Sequence, residues 1–131
     1  MNAHHKKLIA GNWKMNGLKA DAQTLAGALV KPSDAVDVLV CPPSPYLDSI
    51  KDTLASGISM GGQDCHCQES GAHTGSVSAE MLKDMGCRYV LVGHSERRAM
   101  CHETDQTVAD KAAAARRAGL IPIICVGEKE S

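Results

Sequence analysis

Three side chains are placed to work on an anionic compound carrying a carbonyl: Asn12, Lys14 and His94. His94 closes the apolar run Tyr89-Val90-Leu91-Val92-Gly93 and is followed by Ser95-Glu96-Arg97-Arg98. Ser95 is a favourable helix N-cap, which would turn the first N–H groups of a helix back toward the imidazole. The positive end of a helix disfavours the imidazolium and keeps such a ring neutral near pH 7. A neutral imidazole donates a hydrogen bond to a carbonyl and exchanges protons with it. The same residues also suit a histidine that merely closes a turn, and from these residues alone the two readings are evenly matched. Asn12 and Lys14 follow the run Leu8-Ile9-Ala10-Gly11 and add an amide and a fixed positive charge.

The elements that must position these groups alternate along the chain. Strands are expected to start near residues 8, 36, 58, 89 and 121, the last running from Ile121 to Val126. Leu18, Ala22, Leu25, Ala26 and Leu29 recur at helical spacing, as do Leu47, Ile50 and Leu54 before Gly57. Ser78 can cap a helix with Leu82 and Met85 facing inward, and Thr104 one with Val108, Ala112 and Ala115. Strand–helix repetition at this spacing predicts parallel strands joined by right-handed crossovers in a single domain spanning residues 1–131. In such folds functional groups gather beyond the C-terminal ends of the strands. Those ends carry Asn12, Lys14, Cys41, Gln63, Asp64, His94, Cys125 and Glu128.

Composition narrows the function classes. A net charge of −1 over 131 residues offers no general pull toward nucleic acid or membrane, and no apolar run approaches the ~20 residues of a membrane span. The start lacks the apolar stretch of a signal peptide, and six irregularly spaced cysteines suggest free thiols in a reducing cytoplasm. Phe is absent and only Trp13, Tyr46 and Tyr89 are aromatic, which argues against a nucleic-acid stacking platform. Cys65-His66-Cys67 lacks the usual zinc spacing and a second ligand pair, so loop residues are the better reading and no metal is expected. Arg116-Arg117, at a helix end, reads as a solvated face.

Four segments resemble one family, triosephosphate isomerase: Ala10-Gly11-Asn12-Trp13-Lys14-Met15-Asn16, Gly71-Ala72-His73-Thr74-Gly75, Val92-Gly93-His94-Ser95-Glu96-Arg97-Arg98 and Cys125-Val126-Gly127-Glu128. They stand in the family's order and approximate spacing over essentially the whole chain. That family is itself a known case of histidine tuning, so the neutral-imidazole argument is its familiar chemistry. The resemblance implies interconversion of dihydroxyacetone phosphate and glyceraldehyde 3-phosphate through an enediolate, in glycolysis and gluconeogenesis, without a cofactor. By motif, His94 would polarise the carbonyl and shuttle protons, Lys14 would offset the phosphate and the developing oxyanion, and Asn12 would orient the substrate. Glu96 would support Lys14, Arg97 would pair with Glu103, and Cys125 would be a small core residue near the site. Thr74 would enter a partner subunit.

The resemblance also carries a departure. The family's barrel has eight strands, so the expected fold is an incomplete TIM (β/α) barrel of five parallel strands and four helices, truncated after the fifth. No segment resembles the family's catalytic glutamate, its lid or its later phosphate loops. General base catalysis alone is worth ~10²–10⁴ in rate. The chain by itself is therefore expected to be very weak or inactive as an isomerase. Five parallel strands leave two open edges, and the inward faces expected for Ile9, Val38, Leu91 and Ile123 lack an opposite wall. A homo-oligomer is the expected remedy. The alternative is a non-catalytic, self-associating half-barrel with at most weak binding of a small anion at Lys14.

Overall fold

The structure is a computed structural model that describes residues 5–128. Five strands form one sheet in chain order, all parallel: β1 (Lys7–Asn12), β2 (Val36–Cys41), β3 (Ile58–Gly62), β4 (Tyr89–Val92) and β5 (Ile121–Ile124). Helices α1 (Lys19–Ala28), α2 (Leu47–Lys51), α3 (Ala79–Asp84), α4 (Ser95–Met100) and α5 (Asp105–Arg117) lie between them, and a 3₁₀ turn, Ser44–Tyr46, leads into α2. The described residues thus contain five α-helices where four were expected. The additional one is α4, signalled locally by the cap-type residue Ser95 but left out of the count of four because its six residues Ser95-Glu96-Arg97-Arg98-Ala99-Met100 show no apolar repeat.

The caps follow local chemistry. Ser78 Oγ accepts from Met81 N at 3.1 Å, and Thr104 Oγ1 from Thr107 N at 3.2 Å, each satisfying an orphan donor at its helix start. Helix α1 has no hydroxyl cap; instead its Asp21 carboxylate accepts from Leu18 N at 2.9 Å. The expected apolar stripe of α1 is only partly used, since Ala22 and Ala26 are buried while Leu18 and Leu25 are exposed. The fifth strand is shorter than expected, ending at Ile124.

The core lies on two sides of the sheet. Ala26, Val40, Ile50, Leu82, Val90 and Val92 belong to the larger cluster, between strands and helices. Leu39, Cys41, Tyr89 and Leu91 form a smaller cluster on the concave side, with Ile123 packed against it. Parallel strands covered on both faces lose their alternation, and β4 is buried at all four positions. Val38 is a correction to the expected inward set. It packs with the helix-side cluster, and Ile9 is its register partner on the exposed edge strand. Leu91 and Ile123 do face the concave side.

Gly61 lets β3 lie close to its neighbours. A Cβ there would stand 3.0 Å from Cys41 Sγ, Leu39 Cδ1 and the Tyr89 carbonyl oxygen. Arg116 and Arg117 are both exposed, as expected of a solvated face, and on that face the Arg117 guanidinium meets Glu80 of α3 at 2.9 Å and Glu69 at 3.2 Å. No helix among the described residues is long and apolar enough to cross a membrane.

Leu82 is fully buried between α3 and the sheet. Replacing it with Ala removes transfer energy and leaves a cavity, so Leu82→Ala should lower unfolding free energy by about 2–5 kcal/mol. A urea titration should show a lower midpoint with an unchanged slope.

Candidate active site

The C-terminal ends of β1, β3 and β4 open onto a cavity of about 560 Å³ whose lining includes Asn12, Lys14, Gln63, Asp64, His94, Glu96 and Arg97. The three residues singled out for carbonyl chemistry therefore share one cavity. They arrive there by different local devices.

Asn12 ends β1 and folds its amide over the following turn, Oδ1 accepting from Lys14 N at 2.9 Å. Lys14 has φ +56°, a left-handed conformation uncommon for a residue with a side chain. Its backbone is held from several directions. Gln63 Nε2 donates to the Lys14 carbonyl at 2.8 Å and to the Cys41 carbonyl at 2.9 Å. Trp13 N donates to that same Cys41 oxygen at 3.0 Å. Such strain persists only where the surroundings over-determine it. Gln63 was legible in the sequence as a strand-end residue, but nothing there disclosed that it locks the lysine turn.

His94 follows Gly93, which has φ +72° and could not accept a Cβ without meeting Val108 methyls at 2.8 Å. The cap of α4 is His94 itself, not Ser95 as its residue type suggested; Ser95 is the first helical residue. An imidazole nitrogen accepts here as an Asx oxygen would, taking the Glu96 N–H on Nδ1 at 3.1 Å. A neutral ring with Nδ1 accepting carries its proton on Nε2. Glu96 Oε1 stands 3.4 Å from Nδ1, which becomes an ion pair only if the ring is protonated. The Nε2–H is thus the donor that this ring has to offer a substrate carbonyl.

Lys14 Nζ lies 3.2 Å from Glu96 Oε2, with both side chains about half exposed. A pair of that exposure contributes ~0–1 kcal/mol, so it orients the ammonium without tying it up. Arg97 turns the other way, to Glu103 at 2.7 Å and Asp64 at 3.2 Å. Lys111 of α5 completes this quartet, 2.7 Å from Glu103 and 2.9 Å from Asp64. Two cations and two anions balance, and the Glu103 side chain is only 4% exposed. Burial pushes the Glu103 carboxyl up, but hydrogen bonds from Lys111 and Arg97, with their charges, outweigh it and hold it below its ordinary value of 4.5. Burial pushes Lys111 down, and its bonds to Glu103 and Asp64 more than reverse that. Asp64 was legible as a strand-end residue without a role, and Lys111 was not singled out; the available signal for Lys111 was its place on the buried 108, 112, 115 stripe of α5.

Cys125 follows β5 and is half-buried; burial raises its thiol above the ordinary range, against the opposing charge of Arg98. A protonated thiol is a poor nucleophile, which fits a packing residue. Thr74 is exposed on the 63–77 loop, where the neighbouring Gly75, Ser76 and Val77 line the cavity. Cys65 is buried and His66 stacks on His73 at 3.9 Å, and no group of three potential metal ligands occurs among the described residues.

The quartet makes acid stability predictable. Glu103 has a folded pKa below its unfolded one, so its contribution is complete above about 4.5 and is lost as pH falls through the lower folded value. Glu103→Gln should flatten this acid limb in urea midpoints measured against pH. Lys111→Met takes one of two cationic partners from the nearly buried Glu103 carboxylate, leaving Arg97, and should cost about 1–3 kcal/mol at neutral pH.

The comparisons with known proteins agree with this geometry. The family model described as "Triosephosphate isomerase" matches residues 7–131. The triosephosphate isomerase of Alkalilimnicola ehrlichii is 55% identical over 126 residues, which are 94% of this chain and 50% of that protein. That of a Bradyrhizobium species is 53% identical over 131 residues, 95% of this chain and 52% of that protein. The crystal structure of triosephosphate isomerase from Bartonella henselae superposes with a TM-score of 0.88 at 43% identity, covering 95% of this chain and 53% of that one. The chain spans about half the length of the curated relatives it matches. Five parallel strands curled as in the first part of that solved structure make an incomplete TIM barrel. A family match across residues 7–131, on a sheet of this topology with this cavity, makes the chain a member of the triosephosphate isomerase family.

Proposed function

We propose that this chain supplies one wall of a triose phosphate isomerase site, the wall that polarises the carbonyl and holds the anion. In this reading His94 Nε2–H donates to the carbonyl oxygen of dihydroxyacetone phosphate or glyceraldehyde 3-phosphate. It then moves protons between the two oxygens of the enediolate. Lys14 balances the phosphate and the growing oxyanion, and Asn12 orients the substrate. No cofactor is required, because the carbon acid is activated by the adjacent carbonyl. Glycolysis and gluconeogenesis in the cytoplasm are the corresponding setting.

The second part of the proposal is that the 131-residue chain alone turns over very weakly or not at all. One observation carries it. Of the two carboxylates lining the cavity, Asp64 is held by Arg97 and Lys111, and Glu96 stands beside Lys14 and His94, on the wall that polarises the carbonyl. A general base must be free to accept a proton from carbon and close enough to reach it. Asp64 is fixed by its contacts with Arg97 and Lys111, and Glu96 lies on the same side as the groups that stabilise the oxyanion. Glu128 is exposed beyond β5 and stands apart from the cavity lining.

A second reading has an observation of its own. Ile9 on β1 and Ile124 on β5 are each more than half exposed, on the two edges of the sheet. Unpaired strand edges with apolar side chains favour self-association. The alternative role is a self-associating half-barrel with weak anion binding at Lys14.

Activity measured with and without a polypeptide carrying the later strands of a relative separates the two. The first reading expects negligible turnover alone, activity on mixing, and a loss of about 10²–10⁴-fold in the mixture with His94→Gln. Sedimentation showing a stable homo-oligomer that neither binds phosphate analogues nor responds to the complementary polypeptide would favour the second.

A further inference from the structure

Arg97 and Arg98 are adjacent, yet their guanidinium groups serve different parts of the molecule. Arg97 enters the buried quartet, while Arg98 turns back to the strand ends. Arg98 Nε donates to the Gly93 carbonyl at 2.8 Å, and its Nη2 donates to the Cys125 carbonyl at 3.4 Å. Its Nη1 meets Asp105 Oδ1, at the start of α5, at 2.7 Å. One planar group therefore joins the end of β4, the end of β5 and the first turn of α5.

The bond to Gly93 bears most directly on His94. The carbonyl of Gly93 and the N–H of His94 belong to one rigid peptide plane. Fixing that oxygen fixes the plane from which His94 projects. On its other side, the His94 carbonyl accepts from Arg97 N at 2.9 Å and from Arg98 N at 3.1 Å. Both peptide units of the histidine are thereby held, in the arrangement in which Nδ1 accepts from Glu96 N. Gly93 also leaves the needed room, since a Cβ there would come within 3.0 Å of Arg98 Nη2.

We propose that Arg98 is a positioning residue for His94, setting the ring and hence which of its nitrogens carries the proton. This rests on His94 as the proton donor. Lysine is a poor substitute, because a single ammonium cannot reach three acceptors lying in different directions.

The test is the ¹⁵N spectrum of the His94 ring in the labelled 131-residue protein, compared across wild type, Arg98→Met and Arg98→Lys. Wild type should show two well-separated nitrogen shifts, one bare and one protonated. In Arg98→Met the separation should narrow as the tautomers mix, and Arg98→Lys should fall between. A purely structural arginine would lower the urea midpoint and leave the ring signals unchanged. Wild-type ring shifts in Arg98→Met would overturn the proposal; should that variant fail to fold, wild-type ring shifts in Arg98→Lys would do the same. Because the readout is spectroscopic, absence of isomerase activity in the complementation assay would sink the functional reading while leaving this one standing.

Discussion

The hydrogen bond from the Glu96 backbone N–H to His94 Nδ1 leaves the imidazole a single N–H to present to the cavity, and much of the surrounding structure holds that bond in place. It needs Gly93 in a left-handed turn, a short helix beginning at Ser95, and a peptide plane that cannot rock. Each requirement is met by a neighbouring element. Val108 of α5 closes the space behind Gly93, and the carbonyl of His94 accepts from Arg97 N and Arg98 N of α4. The ring itself is made specific by geometry that its residue type only permits.

Beside the cavity, the Asp64–Arg97–Glu103–Lys111 quartet ties the segment after β3 to α4, to the α4–α5 connection and to α5. Buried ion pairs are weak contributors to net stability, because desolvation offsets most of the Coulomb attraction. Their value lies in what happens when they are disturbed, since an uncompensated buried charge is far more costly than a lost pair. The quartet therefore restricts where α4 can sit relative to α5, and through α4 it restricts His94. The backbone of Lys14 is held by a separate set of bonds from Asn12 and Gln63, and Glu96 links the two halves of the wall through its contacts with Lys14 and His94.

Much of this was legible in the sequence, and the failures have physical reasons. The five strands and the helices capped by Ser78 and Thr104 follow from apolar runs and cap chemistry. Asn12, Lys14 and His94 were legible because polar groups at the ends of parallel strands must converge. The cap of α4 was misread by one residue, since serine is the commoner cap and imidazole nitrogen can do the same work. Val38 was assigned to the concave face because Val38, Leu39, Val40 and Cys41 form a continuous apolar run that offers no alternation to read. Lys111 was not singled out in the sequence; only its register with Val108, Ala112 and Ala115 marked it as buried. Gln63 and Arg98 act through backbone carbonyls, and such partners leave no trace in residue spacing.

The central claim is that the chain by itself builds a histidine with its proton on the nitrogen facing the cavity. Ring ¹⁵N shifts of His94 in the unmodified 131-residue protein near pH 8 address this without requiring turnover. The account predicts an unprotonated Nδ1 and a protonated Nε2. A proton residing on Nδ1, or shifts averaged equally between the two tautomers, would contradict it.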